Sequence, residues 1–321
     1  MHGEPQTIVW RGREGPREAV VAGSDWLTSR LPASLSDGEL RGYVASESDA
    51  VIIGRGALTT VADELLRAAG TIILIDPDDR ERWHVEALLA GRRTARIIVL
   101  PSIAAIGAAE HALAFALTLS RRLLPAYSEL VAGTRSEGGT SERNWAGLPE
   151  VGTLAGQTLG IIGLGRSGRA LAERALGFGL QVIYHDIERK PREEARLGVQ
   201  PRPFDQLLRE ADVISLHLPC TAETERMIDA PELAAMKPTA LLLNIANGRL
   251  IDEGALIKTL RNSDIAGAGL DTFAYEPLAL DSPLIGFENV ILTPGVAWIN
   301  EVTEQDGWLI RIRQTLDESV L

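Results

Sequence analysis

Leu159–Asp186 read LGIIGLGRSGRALAERALGFGLQVIYHD. An apolar run leads into glycines at Gly163, Gly165 and Gly168, a stretch of helical periodicity follows, and a second apolar run ends on Asp186. Strand, turn, helix and strand in that order make a βαβ unit. The G-x-G-x-x-G spacing gives each glycine a task around a dinucleotide. Gly163 permits a tight turn, Gly165 lets the backbone approach a pyrophosphate, and Gly168 lets the helix pack close to the strand. Arg166 and Ser167 open the helix, whose free N–H groups and positive dipole end suit phosphates. A purely structural glycine turn is the competing reading.

Outward from this unit, apolar runs alternate with helical patterns along most of the chain, the signature of a parallel sheet covered by helices. Towards the N-terminus, strands are expected at Thr7–Trp10, Ala50–Ile53, Thr71–Ile75 and Arg96–Leu100, with helices at Val61–Ala69 and Glu81–Ala90. A long helix is expected from about Ala104 to Leu124, then an exposed stretch, Ala132–Gly147. After it, six strands are expected, at Thr158–Ile162, Gln181–His185, Val213–His217, Ala240–Ile245, Gly267–Leu270 and Val290–Leu292. Helices fit at Ser167–Phe178, Asp205–Glu210, Pro231–Met236 and Glu253–Arg261, and Glu301–Leu321 has a helical pattern. The fold class is α/β in two domains: a doubly wound Rossmann sheet over residues 104–297, and a smaller flavodoxin-like domain formed by residues 1–103 and 298–321.

The chain has 321 residues, 45% of them hydrophobic and 24% charged, and a net charge of −12. That charge disfavours nucleic acid and anionic membrane surfaces as partners. The apolar stretch Ile103–Leu119 is broken by Glu110 and His111 and reads as a buried helix. The single cysteine, Cys220, excludes an intrachain disulfide and suits a reducing, cytoplasmic setting. MHGEPQTIVW carries no basic, apolar leader pattern. No metal is assigned.

Several blocks in order carry a family resemblance. They are AAEHALAFALTLSRRL from Ala108, the glycine unit, ADVISLHLPCTAETERMIDAPELAAMKP, LLLNIANGRLIDEGAL, IAGAGLDTFAYEPL and ENVILTPGVAW. Together they resemble the D-isomer-specific 2-hydroxyacid dehydrogenases. The resemblance implies NAD held by the second domain, a small-molecule substrate closed over by the first, and a homodimer with an arm at about 124–150. It implies that Asp186 accepts hydrogen bonds from the adenosine ribose, which favours NAD over NADP, with Arg189 and Lys190 close by. His217, Pro219 and Thr224 fall where the family lines the adenine and ribose. Ile245, Ala246 and Gly295 belong to the same cofactor surface, and Asp271 to the position that holds the nicotinamide carboxamide.

Two motifs depart from the family. Where relatives read N-x-A-R-G, this chain reads Asn244-Ile245-Ala246-Asn247-Gly248, so the Arg that binds the substrate carboxylate is Asn247. Where relatives read T-P-H, it reads Thr293-Pro294-Gly295, so the His that exchanges the substrate proton is Gly295. A bidentate, charge-assisted clamp is thereby lost, and with it an acid–base group worth roughly 10²- to 10⁴-fold. Glu276, the His partner in relatives, is retained and becomes a candidate acid or base if burial raises its pKa; Tyr275 beside it is a second candidate. Arg249 is the nearest replacement for the Arg. Arg55 and Gly56 fit a substrate loop, and Trp298 an apolar wall. Asp76-Pro77-Asp78-Asp79 replaces the other substrate loop with acids. His84 and His111 are not at the proton-donor position, and His111 reads as structural. The expected function is an NAD-dependent oxidoreductase with an altered site, acting on an unusual 2-oxo or 2-hydroxy acid or on another carbonyl, alcohol or imine. The alternatives are a non-redox enzyme with retained NAD and an inactive NAD-binding partner or sensor.

Overall fold

The computed structural model describes residues 79–90, 102–132, 144 and 148–299, together with strands at 7–11, 18–21, 27–30, 50–53, 71–75 and 96–100. Its contacts divide the chain into two units, Met1–Ile103 with Val302–Leu321, and Ala104–Glu301. The expected helices at Val61–Ala69 and Glu301–Leu321, the loop residues Arg55, Gly56 and 76–78, and most of Ala132–Gly147 lie outside the described residues.

The first unit contains β1 (Thr7–Arg11), β2 (Glu18–Val21), β3 (Leu27–Arg30), β4 (Ala50–Ile53), β5 (Thr71–Ile75), helix α1 (Asp79–Leu88) and β6 (Arg96–Leu100). The sheet order is β3-β2-β1-β4-β5-β6. β1, β4, β5 and β6 run parallel, as the alternating pattern predicts. β2 and β3 pair antiparallel at the β1 edge and were not anticipated, because EAVV and LTSR are too short to show a periodicity.

The second unit begins with α2 (Ile103–Ser120) and α3 (Leu123–Val131). It continues through β7 (Thr158–Ile162), α4 (Arg166–Gly177), β8 (Gln181–His185), α5 (Pro191–Leu197), β9 (Gln200–Pro201), α6 (Phe204–Glu210) and β10 (Val213–Leu216). Then come α7 (Ala230–Ala235), β11 (Leu241–Asn244), α8 (Glu253–Arg261), β12 (Gly267–Leu270) and β13 (Val290–Leu292). Its strands form one parallel sheet in the order β9-β8-β7-β10-β11-β12-β13. The winding reverses between β7 and β10, and in such sheets the crevice at the carboxyl ends of the two switch strands is where ligands bind. The expected six strands thus become seven, the seventh being the two-residue β9.

Alternation along the strands sorts side chains onto two faces. Leu159, Ile161, Tyr184, Val213 and Leu243 join α2 and α4 in one apolar cluster. Ile162, Ile183, Ile214, Leu216, Leu242 and Leu270 join α6, α7 and α8 in the other. Helix α2 is long and apolar enough to cross a membrane, yet its Ala108, Ala112, Leu113 and Phe115 are packed into the first cluster. Phe115 lies so close over β12 that a Cβ on Gly269 would meet its ring at 2.6 Å. Truncating such an aromatic costs about 3–5 kcal/mol.

The single helix expected from Ala104 to Leu124 is two. Arg122 takes a left-handed conformation, φ 53°, between α2 and α3. Pro125 explains the break. Inside a continuous helix its ring would strike the carbonyl of Arg121, whereas in the first turn of a new helix its missing N–H costs nothing. None of the α3 residues is buried, and Leu123, Leu124, Tyr127, Leu130 and Val131 are exposed.

Candidate active site

The glycine turn sits between β7 and α4. Gly163 has φ +94°, a left-handed backbone that favours glycine. A Cβ there would meet the His217 carbonyl oxygen at 2.7 Å, and one on Gly168 would meet the Gly163 carbonyl oxygen at 2.2 Å. A Cβ on Gly165 would meet nothing within 4 Å, so the backbone there is open. Gly165 is also the N-cap of α4 and makes no side-chain cap hydrogen bond. Open backbone, glycine and an uncapped helix N-terminus together fit a pyrophosphate.

Asp186 follows β8. Its Oδ2 accepts the Leu164 N–H at 2.9 Å and its Oδ1 accepts the Glu188 N–H at 3.2 Å. One carboxylate thus ties the glycine turn to the strand end. The two cations beyond it are engaged. Arg189 donates Nε and Nη2 to Glu194 at 2.9 and 2.7 Å, and Lys190 pairs with Glu188 at 3.8 Å. The Tyr184 hydroxyl donates to Glu194 at 2.7 Å and accepts the Lys190 N–H at 2.7 Å. Burial pushes that phenol up to about 12.

His217 is expected on the adenine side. It lies just past β10 instead of within it, and the residue is 7% exposed. Nδ1 bonds the Ser167 hydroxyl at 3.0 Å and Nε2 the Ser215 hydroxyl at 2.8 Å. Burial among neutral partners drives its pKa down to about 3, so the ring is a neutral buckle between α4 and β10. It presents its main chain to the turn. Thr224 and Pro219 form a turn of their own, with the Thr224 hydroxyl donating to the Pro219 carbonyl at 2.8 Å.

The ends of β11, β12 and β13 bring the remaining candidates together. Asn244, fully buried, uses its carboxamide to hold Ala246 and Asn247. Asn247 caps the 3₁₀ turn Gly248–Leu250, its Oδ1 accepting the Arg249 N–H at 3.0 Å. Arg249 does not fold back towards it. The guanidinium pairs with Glu225 at 2.6 Å and is mostly exposed. Trp298, expected as an apolar wall, donates its indole N–H to the Ile245 carbonyl at 2.7 Å.

Asp271 is fully buried at the end of β12 and its carboxylate gathers the segment after β13. Oδ1 accepts the Thr293 hydroxyl at 2.6 Å and the Val296 N–H at 2.9 Å, and Oδ2 accepts the Ala297 N–H at 2.9 Å. Its main-chain carbonyl accepts the Gly295 N–H at 2.9 Å. Gly295 has φ +72°, and a Cβ there would meet only that carbonyl, at 4.0 Å. His111, which the sequence leaves as structural, reaches this cluster from α2. Its Nε2 lies 2.9 Å from the Thr293 hydroxyl and 3.7 Å from Asp271 Oδ1. Glu276 and Tyr275 are both exposed, Tyr275 at 85%. The Glu276 carboxylate accepts the Phe273 N–H at 3.0 Å.

Residues 113–297 match the model of the D-isomer specific 2-hydroxyacid dehydrogenase NAD-binding domain. The chain belongs to that family, and the domain is one that binds a nicotinamide dinucleotide. Among its relatives is a glyoxylate reductase of Thermococcus litoralis, 42% identical over 208 residues, which are 64% of this chain and 62% of the relative. The chain therefore spans less than two thirds of that relative's length. Among solved structures, D-lactate dehydrogenase of Lactobacillus jensenii with NAD+ is similar with a TM-score of 0.55 and 26% identity, covering 89% of this chain and 87% of the other. An acyclic imino acid reductase in complex with NADPH and D-Arg is similar with a TM-score of 0.56 and 28% identity, covering 88% and 87%.

Proposed function

We propose that this chain is an NAD-dependent oxidoreductase that interconverts a small 2-oxo compound, or its imine, with the reduced form, using an altered set of reacting groups. The observation that carries the reading is the open glycine turn at the sheet's switch point, closed on one side by Asp186. Gly163–Gly168 and the α4 N-terminus would hold the pyrophosphate, and Asp186 the adenosine ribose. A 2′-phosphate would meet that carboxylate with Arg189 and Lys190 already committed to acids, which supports NAD over NADP. A bound nicotinamide supplies or accepts the hydride. The chain's own task is to orient the substrate and exchange its proton.

The relatives' names point to 2-oxo acids and an imino acid as substrates. Asn247 replaces a charge with a neutral amide already engaged in its own turn, so a carboxylate would be held weakly there. The exposed apolar residues of α3 support self-association into a homodimer, because contiguous apolar surface of this kind marks interaction sites. A cavity of about 650 Å³ beside them, lined in part by Leu124, Pro125 and Leu241, extends that surface.

The test is NADH and NADPH binding by fluorescence, then turnover of glyoxylate, hydroxypyruvate and pyruvate, and of glyoxylate with an amine. NADH should bind at micromolar concentration and NADPH at least tenfold more weakly. The acids should turn over slowly with millimolar KM. Absence of binding by either nucleotide up to millimolar overturns the reading, and fast turnover at low KM overturns the altered site.

A further inference from the structure

Resting on the self-association stated above, we propose that two copies of this chain pair through α3 about a two-fold axis at Tyr127, the helices antiparallel and each Arg122 on the carboxyl end of the other copy's α3. Nothing within one copy accounts for this helix. It has nine residues, none of them buried, and its N-cap, Arg122, makes no side-chain cap hydrogen bond. Isolated helices of that length are marginal in water. Leu123, Leu124, Tyr127, Leu130 and Val131 recur at helical spacing on one face, and each is 48–67% exposed. Together they leave on the order of 600 Å² of side chain in water, as much as the largest apolar patches of monomers. A standard interface takes roughly 800 Å² from each partner, so this stripe supplies most of one.

The pattern selects a second copy as the occupant. The stripe is symmetric about Tyr127, with apolar residues at the third and fourth positions on either side. In an isologous contact residue i meets j and j meets i. Antiparallel pairing sets Leu123 on the partner's Val131, Leu124 on the partner's Leu130, and Tyr127 on its own counterpart, so apolar meets apolar throughout. The stripe itself carries no charge that would single out a different partner. The polar end supports the same arrangement. A cation opposes the dipole at a helix N-terminus and is favoured at a C-terminus. Arg122 stands at the wrong end of its own helix, while the last turn of α3 has no basic residue. The antiparallel pair brings each Arg122 beside the partner's Ala132, where the last carbonyls of a helix lack intrahelical donors. The Arg122 Nε is buried with no hydrogen-bond partner among the described residues. Arg122 also lines the cavity of about 650 Å³ at the root of α3, which leaves the guanidinium room to turn.

The experiment uses the full chain, with mass read by sedimentation and geometry read by cysteine cross-linking in a C220S background. Helices packed about 8–10 Å apart bring facing Cα atoms to about 4–6 Å, within disulfide range. Under mild oxidation Y127C should therefore form a covalent dimer. L130C lies on the same face but three residues from the axis, so the two copies of it stand about 9 Å apart along the helices, beyond the roughly 7 Å limit, and it should not form one. In a parallel, in-register pair both would cross-link. L130E, which alters an exposed side chain, should sediment as a monomer and bind NADH within about twofold of wild type. R122Q should weaken the dimer about 3- to 30-fold, since two contacts with a helix end are lost. A wild type that is monomeric up to millimolar concentration removes self-association, and this proposal with it. A dimeric wild type in which Y127C stays uncrosslinked, L130C alone cross-links, or L130E remains a dimer leaves self-association standing and overturns the α3 pairing. Should L130E fail to fold, the two cysteine variants decide.

Discussion

Replacing His217 with glutamine should remove a specific acid sensitivity from the large unit. In the fold the ring is neutral, and its pKa is depressed from 6.5 to about 3 by burial. An unfolded chain takes up the proton below 6.5; the folded one does not until about 3. The stability that this residue contributes is therefore complete above the unfolded value and is lost as the pH falls towards the folded one. Each pH unit inside that window is worth about 1.4 kcal/mol. Between pH 7.5 and 5.0 the difference integrates to about 2 kcal/mol. The carboxylates held low by their partners, Glu194, Glu210 and Glu223, lose their contribution only at lower pH, so this interval isolates the imidazole. A two-unit chain does not guarantee a single unfolding transition. Amide hydrogen exchange at Ile161 and Ile214, in the strands flanking His217, reports this sheet directly. The wild type should lose about 2 kcal/mol more protection than H217Q between the two pH values. H217Q will start from a lower level, since a bond to Ser167 or Ser215 is weakened. Equal losses in the two proteins would show that the ring is not held neutral and would refute the argument.

Gly168→Ala places a Cβ 2.2 Å from the Gly163 carbonyl oxygen, which must push α4 off the turn; NADH fluorescence titration should show at least a tenfold loss of affinity. Asp186→Ala removes the acceptor of the Leu164 N–H and should weaken NADH by about tenfold, or about 1.4 kcal/mol, while changing NADPH affinity much less, read by the same titration. Gly295→His puts an L side chain at φ +72° and should cost about 1–2 kcal/mol, read as a lowered Tm, so restoring the family residue alone should not restore an ordinary enzyme.

The parts of the fold that the sequence shows are those where one period dominates. β4, β5, β6, β7, β8, β12, β13 and α8 fall on their expected residues, because each is an unmixed apolar or amphipathic run between turn residues. Elements set by context were not visible. β9 is two residues, exposed on both, and exists only because β8 offers an edge. Helix α5, PREEARL, is short and polar, and only its proline at the first turn and Gly198 after its end mark it in the sequence. In the site, the three glycines and Asp186 were readable because their tasks are local. The burial of His217, the pairing of Arg249 with Glu225 and the reach of His111 to Thr293 join residues 24 to 182 positions apart or depend on which way a ring turns. No spacing rule contains that information.

The loop after β8 has a consequence for redesign. Exchanging one nicotinamide cofactor for its phosphorylated counterpart usually begins with removing the acid at the strand end and recruiting a nearby cation. Here Glu194 is shared: it neutralises Arg189 and also receives the Tyr184 hydroxyl, which in turn supports the main chain of Lys190. Removing the acid at 186 liberates neither cation, and removing Glu194 to release Arg189 takes away the acceptor of a buried phenol. Freeing a cation here for a 2′-phosphate therefore runs through coupled changes at 184, 186 and 194, of which none alone suffices.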